Sequence, residues 1–227
     1  MRAALSVIIP TLNAAQNLPA CLAALIEGLE TGLIRELILS DGGSGDATLQ
    51  IADAAGAVIV QGMPSRGGQL RRGAQVAGGE WLLFLHADTM LPAGWTAAVR
   101  AQMDTGAPAA FRLSYDAAGV MPQIVAGWAN LRSRRLGLPY GDQGLLVSRA
   151  DYDATGGYPD IPLMEDVAMA RALRGRIALL PLSVTTSAAR YLRDGWLRRG
   201  ARNLILLVRY LCGADPLRLA ARYRRSE

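Results

Sequence analysis

The stretch LSVIIPTLN at residues 5–13 determines how the rest of the chain is interpreted. Its apolar, β-branched run ends at Pro10 and a polar turn, which is typical of a buried strand. Three further short runs share this character: ELILS at 36–40, AVIV at 57–60 and WLLFL at 81–85. Segments with helical spacing lie between these runs. The alternation predicts an α/β fold in which helices cover a parallel sheet.

The pattern changes after residue 108. Strands are expected at 109–115, 145–148 and 177–180, with a helix at 166–173 and a loop over 114–141. This mixture predicts antiparallel additions to the sheet. Residues 194–211 alternate leucines with arginines at helical spacing, which predicts a C-terminal amphipathic helix.

Composition excludes disorder, since 51% of the 227 residues are hydrophobic and 19% are charged. The net charge of +5 is uneven: residues 187–227 carry +7, whereas residues 1–186 carry −2. A basic tail suits anionic lipid, phosphate or nucleic acid, and equally an ordinary solvated helix face. All 24 basic residues are arginines.

Cellular location is indicated by what the sequence lacks. Cys21 and Cys212 stand in apolar settings, so we expect buried free thiols in a reducing compartment. There is no secretory leader pattern and no apolar run near the ~20 residues that a membrane-spanning helix needs. We therefore expect a cytoplasmic protein.

Polar residues follow the predicted strands, at the edge where open parallel sheets bind ligands. They comprise Pro10, Thr11 and Asn13, the DGGSGD turn at 41–46, the loop around Arg66, and HADT at 86–89. Taken alone, Asp41 is better explained as a turn and helix-capping residue than as a binding residue. The DGGSGD turn lacks the third glycine of the dinucleotide fingerprint, which argues against a hydride-transferring Rossmann enzyme.

Two acidic points carry the candidate chemistry. Asp88 follows a buried strand, where an unpaired carboxylate is costly, so a bound Mg²⁺ or Mn²⁺ is expected there. The chain's single histidine, His86, is either a structural residue or a second ligand. Glu165 and Asp166 open a helix; spacing alone favours helix capping over a general-base role.

Six segments occur in an order that resembles family 2 glycosyltransferases of the GT-A fold: SVIIPTLN, DGGSGDAT, LFLHADT, PYGDQGLLVSR, GGYPDIPLMEDVAMA and TTSAAR. The similarity spans about residues 5–225 and is greatest to a small bacterial subgroup labelled for arsenosugar biosynthesis. It implies a Rossmann-like nucleotide-diphospho-sugar transferase domain at 1–190, with a nucleotide-binding half to about 90 and an acceptor half beyond. Residues 191–227 would form a basic helical extension.

The resemblance also implies roles for the donor-side residues. Pro10, Thr11 and Asn13 would line the nucleotide site, and Asp41 would accept a hydrogen bond from the base. Arg66 would lie near the nucleotide, and Arg190 would reach the diphosphate.

Asp88 matches the last acid of the family's DxD motif, which binds Mg²⁺ or Mn²⁺; His86 replaces the first. Asp166 matches the base of the inverting reaction, with Glu165 beside it. Ala14, Ala15, Gln16 and Arg71 also depart from the family pattern, which leaves the nucleotide open.

These roles together imply a hexosyltransferase-type enzyme that moves a sugar from a nucleotide-diphosphate sugar to a hydroxyl of a small-molecule or lipid acceptor, with no nucleic-acid partner. Two other classes are a non-catalytic nucleotide-sugar-binding or scaffold protein and a nucleotidyltransferase. A nucleotidyltransferase normally holds its triphosphate with a lysine in a glycine-rich loop, and the absence of lysine from this sequence disfavours that class. The tail either packs on the domain or makes peripheral contact with the inner membrane face. The sequence does not indicate the oligomeric state.

Overall fold

The computed structural model describes residues 3–174 and 176–224. The outermost residues of the predicted 1–190 domain and 191–227 extension, 1–2 and 225–227, lie outside this description. Boundaries near residues 90 and 190 stay predictions.

The described residues form an eight-stranded mixed sheet. Its strands are β1 Leu5–Thr11, β2 Ile34–Asp41, β3 Val58–Gln61, β4 Trp81–Phe84, β5 Thr89–Met90, β6 Ala109–Tyr115, β7 Leu145–Ser148 and β8 Ala178–Thr186. Their order is β3-β2-β1-β4-β7-β6-β8-β5. Strands β3, β2, β1 and β4 are parallel, whereas β7 is antiparallel to both β4 and β6. The predicted parallel half with antiparallel additions is confirmed.

Helices cover both faces of this sheet. They are α1 Leu18–Ala24, α2 Ile26–Glu30, α3 Thr48–Ala54, α4 Arg66–Val76, α5 Trp95–Thr105, α6 Val120–Leu136, α7 Arg149–Ala154, α8 Glu165–Ala172, α9 Ala189–Asp194, α10 Trp196–Leu211 and α11 Pro216–Arg224, with a 3₁₀ turn at Gly141–Gln143. Val7 and Ile9 pack towards α1 and α5, while Ile8 packs towards α4 and α8. Both faces of β1 are buried, as an uninterrupted apolar run predicts.

Helix α6 corrects the loop expected over 114–141. Pro122 lies in its first turn, where a missing N–H costs nothing, and the helix ends at Gly137 with φ 63°. Small residues, Ala126 and Ala129, form its buried edge. From the sequence alone, Trp128 would either stack on a sugar or fill the core, with the core favoured; the structure leaves it half exposed. The larger apolar side chains point outward, so the sequence lacks the usual pattern of a core-facing helix.

The C-terminal helices pack on the body of the domain. Packing was one of the two alternatives that the sequence left open for the tail. Leu206 and Leu207 of α10 and Leu219 of α11 join an apolar cluster with Val167 of α8. The guanidinium of Arg199 is buried there; it donates to Asp194 Oδ2 at 2.6 Å and to the Tyr223 hydroxyl at 2.7 Å. Across residues 3–174 and 176–224, we find no helix with the length and apolarity needed to cross a membrane.

The two cysteines differ in environment. Cys21 is a buried free thiol, and burial raises its pKa to about 12. Cys212 is a free thiol too, but it is exposed at the end of α10, so the expectation of burial is wrong for it. The exposed position follows from the packing of α10 through its opposite face.

Candidate active site

Two adjoining cavities open at the carboxyl end of the parallel strands. The larger, about 570 Å³, is lined by the loop after β1, the N-terminal turn of α4 and residues of α11. The smaller, about 170 Å³, lies between α6, α8 and α10. Their shared wall contains the predicted residues Arg66, His86, Asp88, Glu165 and Arg190. The fold therefore brings residues from four separate segments, namely α4, the turn after β4, α8 and α9, to one boundary.

Asp41 lies behind the wall of the larger cavity and holds the polar loop together. Its Oδ1 accepts hydrogen bonds from Thr11 Oγ1 at 2.9 Å and from Ser44 Oγ at 2.5 Å. Its Oδ2 accepts from the N–H groups of Gly43 and Ser44, both at 2.8 Å. Burial opposes the charge, but these bonds lower the pKa of Asp41. Its contact with a nucleotide base stays a prediction, while its role in shaping the loop is visible.

Pro10, Thr11 and Asn13 line the larger cavity, and their contact with a nucleotide stays a prediction. Asn13 adopts a left-handed conformation, with φ 51°, and its Oδ1 accepts from the Gly45 N–H at 2.9 Å. Gln69, which sequence reasoning missed, is buried; its Nε2 donates to the Thr11 and Ser40 carbonyls at 2.7 and 2.9 Å. This single amide joins the ends of β1 and β2.

Arg66 is placed by the docking of α4 against the loop before α8. Ser65 caps α4, and its hydroxyl donates to Asp160 Oδ1 at 2.5 Å. The Gly67 N–H donates to the Ile161 carbonyl at 3.3 Å. Burial opposes the charge of Arg66, yet the carboxylates of Glu165 and Asp166 raise its pKa. A permanent cation therefore faces both cavities.

His86 and Asp88 follow β4 and line both cavities. Burial and the nearby Arg66 lower the pKa of His86 to about 4, so the imidazole is neutral near pH 7 and keeps a lone pair for a metal. No hydrogen bond from the described residues reaches the Asp88 carboxylate. Within those residues, no group of three or more His, Cys, Asp and Glu side chains could hold a metal alone. A cation here needs further oxygen ligands from a substrate.

Glu165 and Asp166 begin α8 directly after Met164, a buried non-glycine residue with φ 67°. Such strained conformations cluster at functional sites. Glu165 is 2% exposed, and its Oε2 has no hydrogen-bond partner in the described residues. Burial and the charge of Asp166 raise the pKa of Glu165 to about 7. Simple helix capping does not account for a buried, unpaired carboxylate.

Gly141 links the metal-site candidates to Asp166. Its N–H donates to Asp166 Oδ2 at 2.9 Å. A side chain at this position would clash with the His86 ring, so the backbone packs directly on the imidazole. The 3₁₀ turn therefore fixes both groups relative to each other.

Two further residues of the smaller cavity, Arg132 and Asp142, were not identified from the sequence. Tyr140, which the sequence left open between stacking on a sugar and filling the core, lines the same cavity. The Arg132 guanidinium lies 3.4 Å from the centre of the Tyr140 ring. Asp142 Oδ1 is shielded from solvent and lacks a hydrogen-bond partner in the described residues. Burial raises the pKa of Asp142 to about 6. The PYGDQG segment was the available signal, but its position depends on the unpredicted α6.

Solved structures share this fold at low sequence identity. TarS from S. aureus, residues 1–349, superposes with a TM-score of 0.66 at 18% identity, covering 95% of this chain and 68% of that one. A second structure is glucosyl-3-phosphoglycerate synthase from Mycobacterium tuberculosis in complex with Mn²⁺, UDP and glucosyl-3-phosphoglycerate. It superposes with a TM-score of 0.61 at 20% identity, covering 93% of this chain and 81% of that one. The fold is that of the GT-A glycosyltransferases, which confirms the predicted fold class.

The chain belongs to glycosyl transferase family 2, whose sequence profile matches residues 6–124, just over half of the chain. Proteins named "PGL/p-HBAD biosynthesis glycosyltransferase" from Mycobacterium tuberculosis and Mycobacterium bovis are 43% identical over 93 residues. That alignment covers 38% of this chain and 36% of each relative. The arsenosugar label of the subgroup stays a prediction.

Proposed function

We propose that this protein transfers a sugar from a nucleoside-diphosphate sugar to an acceptor hydroxyl, with a divalent cation and with inversion at the anomeric carbon. The observation that carries the proposal is the meeting of two cavities at one wall of charged residues. The larger is big enough for a nucleotide, and Asp166 lines the smaller. A donor and an acceptor can therefore occupy separate spaces and react at the boundary.

The donor is proposed to lie in the larger cavity, with its base towards Pro10, Thr11 and Asn13. Its diphosphate then points to Arg66 and Arg190, which line the shared wall. Guanidinium groups form strong charge-assisted bonds with phosphate oxygens. A solved complex of TarS contains UDP-GlcNAc, which supports a donor of this class.

The residues present fit a Mg²⁺ or Mn²⁺ ion. A neutral imidazole at His86 and an unpaired carboxylate at Asp88 supply two ligands, and such ions commonly complete their shell with water and substrate phosphates. When bound, the ion would neutralise charge that develops on the departing diphosphate. The Mn²⁺ in the glucosyl-3-phosphoglycerate synthase complex supports this assignment.

Asp166 is proposed to take the proton of the acceptor hydroxyl. Its Oδ2 is oriented by the Gly141 N–H, and its Oδ1 accepts from the Val167 N–H at 2.7 Å. Each oxygen retains a second lone pair, and the carboxylate lines the smaller cavity. The hydroxyl oxygen then attacks the anomeric carbon as the diphosphate leaves. One displacement inverts the configuration, and no covalent nucleophile is required.

A thermal-shift panel tests the donor and metal sites together. Each nucleoside diphosphate and its sugar conjugate is mixed with Mn²⁺, Mg²⁺ or a chelator. A ligand at 100 times its Kd stabilises the protein by about 2.7 kcal/mol, which raises Tm by a few degrees. We expect a shift for one base, lost with chelator and in Asp88→Asn, but kept in the exposed control Asp104→Asn. A folded protein that responds to no nucleotide contradicts the proposal.

A further inference from the structure

Two neighbouring helices expose rows of large apolar side chains. On α10 the exposed row is Leu197, Leu204, Val208 and Leu211, and on α6 it is Val120, Ile124, Trp128 and Leu131. The two helices pack against each other. We call these eight side chains the α6–α10 surface. Contiguous exposed apolar area of this kind is uncommon on soluble monomers and marks an interaction site.

The exposed row of α10 is not a consequence of poor packing. Leu206, Leu207 and Arg199 lie on its opposite side and are buried against the body. The helix is therefore fixed in orientation, with one side holding it to the domain. Its second apolar side is held outward.

The helices at and next to this surface carry charge of one sign. Helices α6, α10 and α11 together contain ten arginines and no acidic residue. Arg134, Arg135, Arg198 and Arg209 are exposed on α6 and α10. Apolar side chains next to arginines, without acids, are typical of helices that lie in the interface of an anionic bilayer.

A second copy of the chain fits this surface poorly. A two-fold symmetric contact places the same patch on both partners, so the arginines of one copy would face those of the other. An anionic bilayer instead provides an apolar interior for the exposed side chains and negatively charged head groups for the arginines. Charge complementarity thus favours the bilayer.

The smaller cavity lies between these same helices. Val125 and Trp128 of α6 and Gly200, Asn203 and Leu204 of α10 line it. Trp128 and Leu204 therefore belong both to the cavity wall and to the exposed surface. These two apolar side chains connect the cavity to the exposed surface.

We propose that the α6–α10 surface binds an anionic lipid bilayer, with both helices in the plane of the interface, and that the acceptor enters the smaller cavity from that bilayer. The acceptor is then an amphiphile, with an apolar part in the lipid and a hydroxyl that reaches Asp166. This statement about the acceptor rests on the proposed sugar transfer, whereas bilayer binding does not.

Vesicle flotation of the full chain tests the surface. Vesicles of phosphatidylcholine alone are compared with vesicles containing about 30% phosphatidylglycerol. Wild type should float with the anionic vesicles, with a bound fraction about tenfold lower on neutral ones and reduced by about 0.5 M NaCl. Leu197→Gln/Val208→Gln and Arg198→Glu/Arg209→Glu should each lower binding about tenfold.

Matched controls carry the same changes on other faces: Ile26→Gln/Leu29→Gln on α2, and Arg71→Glu/Arg112→Glu. They should float like wild type, and circular dichroism checks that every variant is folded. Wild type that stays unbound, or surface variants that bind like the controls, overturns the proposal.

Sedimentation of wild type without lipid provides a second readout. One outcome is that wild type forms a dimer, that Leu197→Gln/Val208→Gln dissociates this dimer, and that the protein does not bind vesicles. This outcome overturns bilayer binding and assigns the surface to a second copy. Donor binding is read without lipid in the nucleotide panel. A negative panel with positive flotation therefore contradicts the proposed function alone, and the reverse result contradicts the bilayer proposal alone.

Discussion

At the residue scale, the role of Asp166 in sugar transfer can be measured separately from donor binding. Asp166→Asn keeps an oxygen for the Gly141 N–H but cannot accept a proton. We expect sugar transfer to fall by about 10²- to 10⁴-fold, while the nucleotide-induced thermal shift stays as in wild type. Turnover and the anomeric configuration of the product are followed by NMR. Asp153→Asn, exposed on α7, is the control; transfer by Asp166→Asn at the wild-type rate would assign the base elsewhere.

Glu165 should give the protein a measurable pH dependence of stability. Burial and Asp166 raise its pKa from 4.5 to about 7, so between these values the folded state holds a proton that the unfolded chain has released. The free energy of unfolding therefore falls as pH rises through this window, by about 3 kcal/mol from this group.

Glu165→Gln removes that slope. Urea unfolding of both proteins is measured from pH 4 to 8. Across this window, the free energy of unfolding of the variant should rise relative to that of wild type by about 3 kcal/mol. Asp41 and Asp194, whose pKa values are lowered, contribute the opposite slope, but equally in both proteins. A pH-independent difference between the two proteins would show that Glu165 titrates normally.

Residues that follow a strand were accessible to sequence reasoning. Thr11, Asn13 and Asp88 come directly after predicted strands, and the sheet carries them to one edge. Asp142 was not accessible in this way. Its unpaired oxygen depends on how a 3₁₀ turn packs against residues far away in sequence, and no local pattern encodes that contact.

At the scale of elements, the docking of α4 onto the loop before α8 positions the guanidinium of Arg66. A methyl group at Gly67 would clash with the Pro159 carbonyl oxygen, so Gly67→Ala must displace one segment. We expect a loss of about 1–3 kcal/mol of stability in urea unfolding and weaker nucleotide binding in the thermal-shift titration. Gly127→Ala is the matched control, because nothing lies within 4 Å of its added methyl group.

That control should be neutral or stabilising by up to about 1 kcal/mol, since alanine favours a helix interior. Gly67→Ala with the stability of Gly127→Ala would mean that the α4 contact contributes little. The comparison separates the steric clash from the general effect of replacing glycine.

Elements with a continuous apolar signal were predicted well, and α6 shows why others were not. β6 and β7 have the predicted bounds, because short apolar runs between turns specify buried strands. Helix α6 buries small residues and exposes Val120, Ile124 and Trp128, so its hydrophobic pattern faces away from the core. Hydrophobic periodicity identifies a helix by the large apolar residues on its buried face, and the buried face of α6 carries mainly small residues.

At the scale of the whole molecule, the C-terminal helices connect the larger cavity to the body. Ala220 and Tyr223 of α11 line the larger cavity, and the Tyr223 hydroxyl accepts a hydrogen bond from Arg199 of α10. These helices pack through few buried side chains, so without ligand they should open more readily than the central strands. A donor in the cavity would hold α11 closed.

Hydrogen exchange followed by mass spectrometry measures this coupling. At a donor concentration near 100 times Kd, amide exchange in α11 should slow by up to about 100-fold, the factor that corresponds to about 2.7 kcal/mol. Helix α5, which does not line either cavity, should exchange at the same rate with and without donor. Protection of the loop at residues 10–13 without protection of α11 would place the nucleotide away from the C-terminal helices. Because Tyr223 contacts both cavities, protection of α11 would instead show that donor binding organises the wall on which the acceptor must later dock.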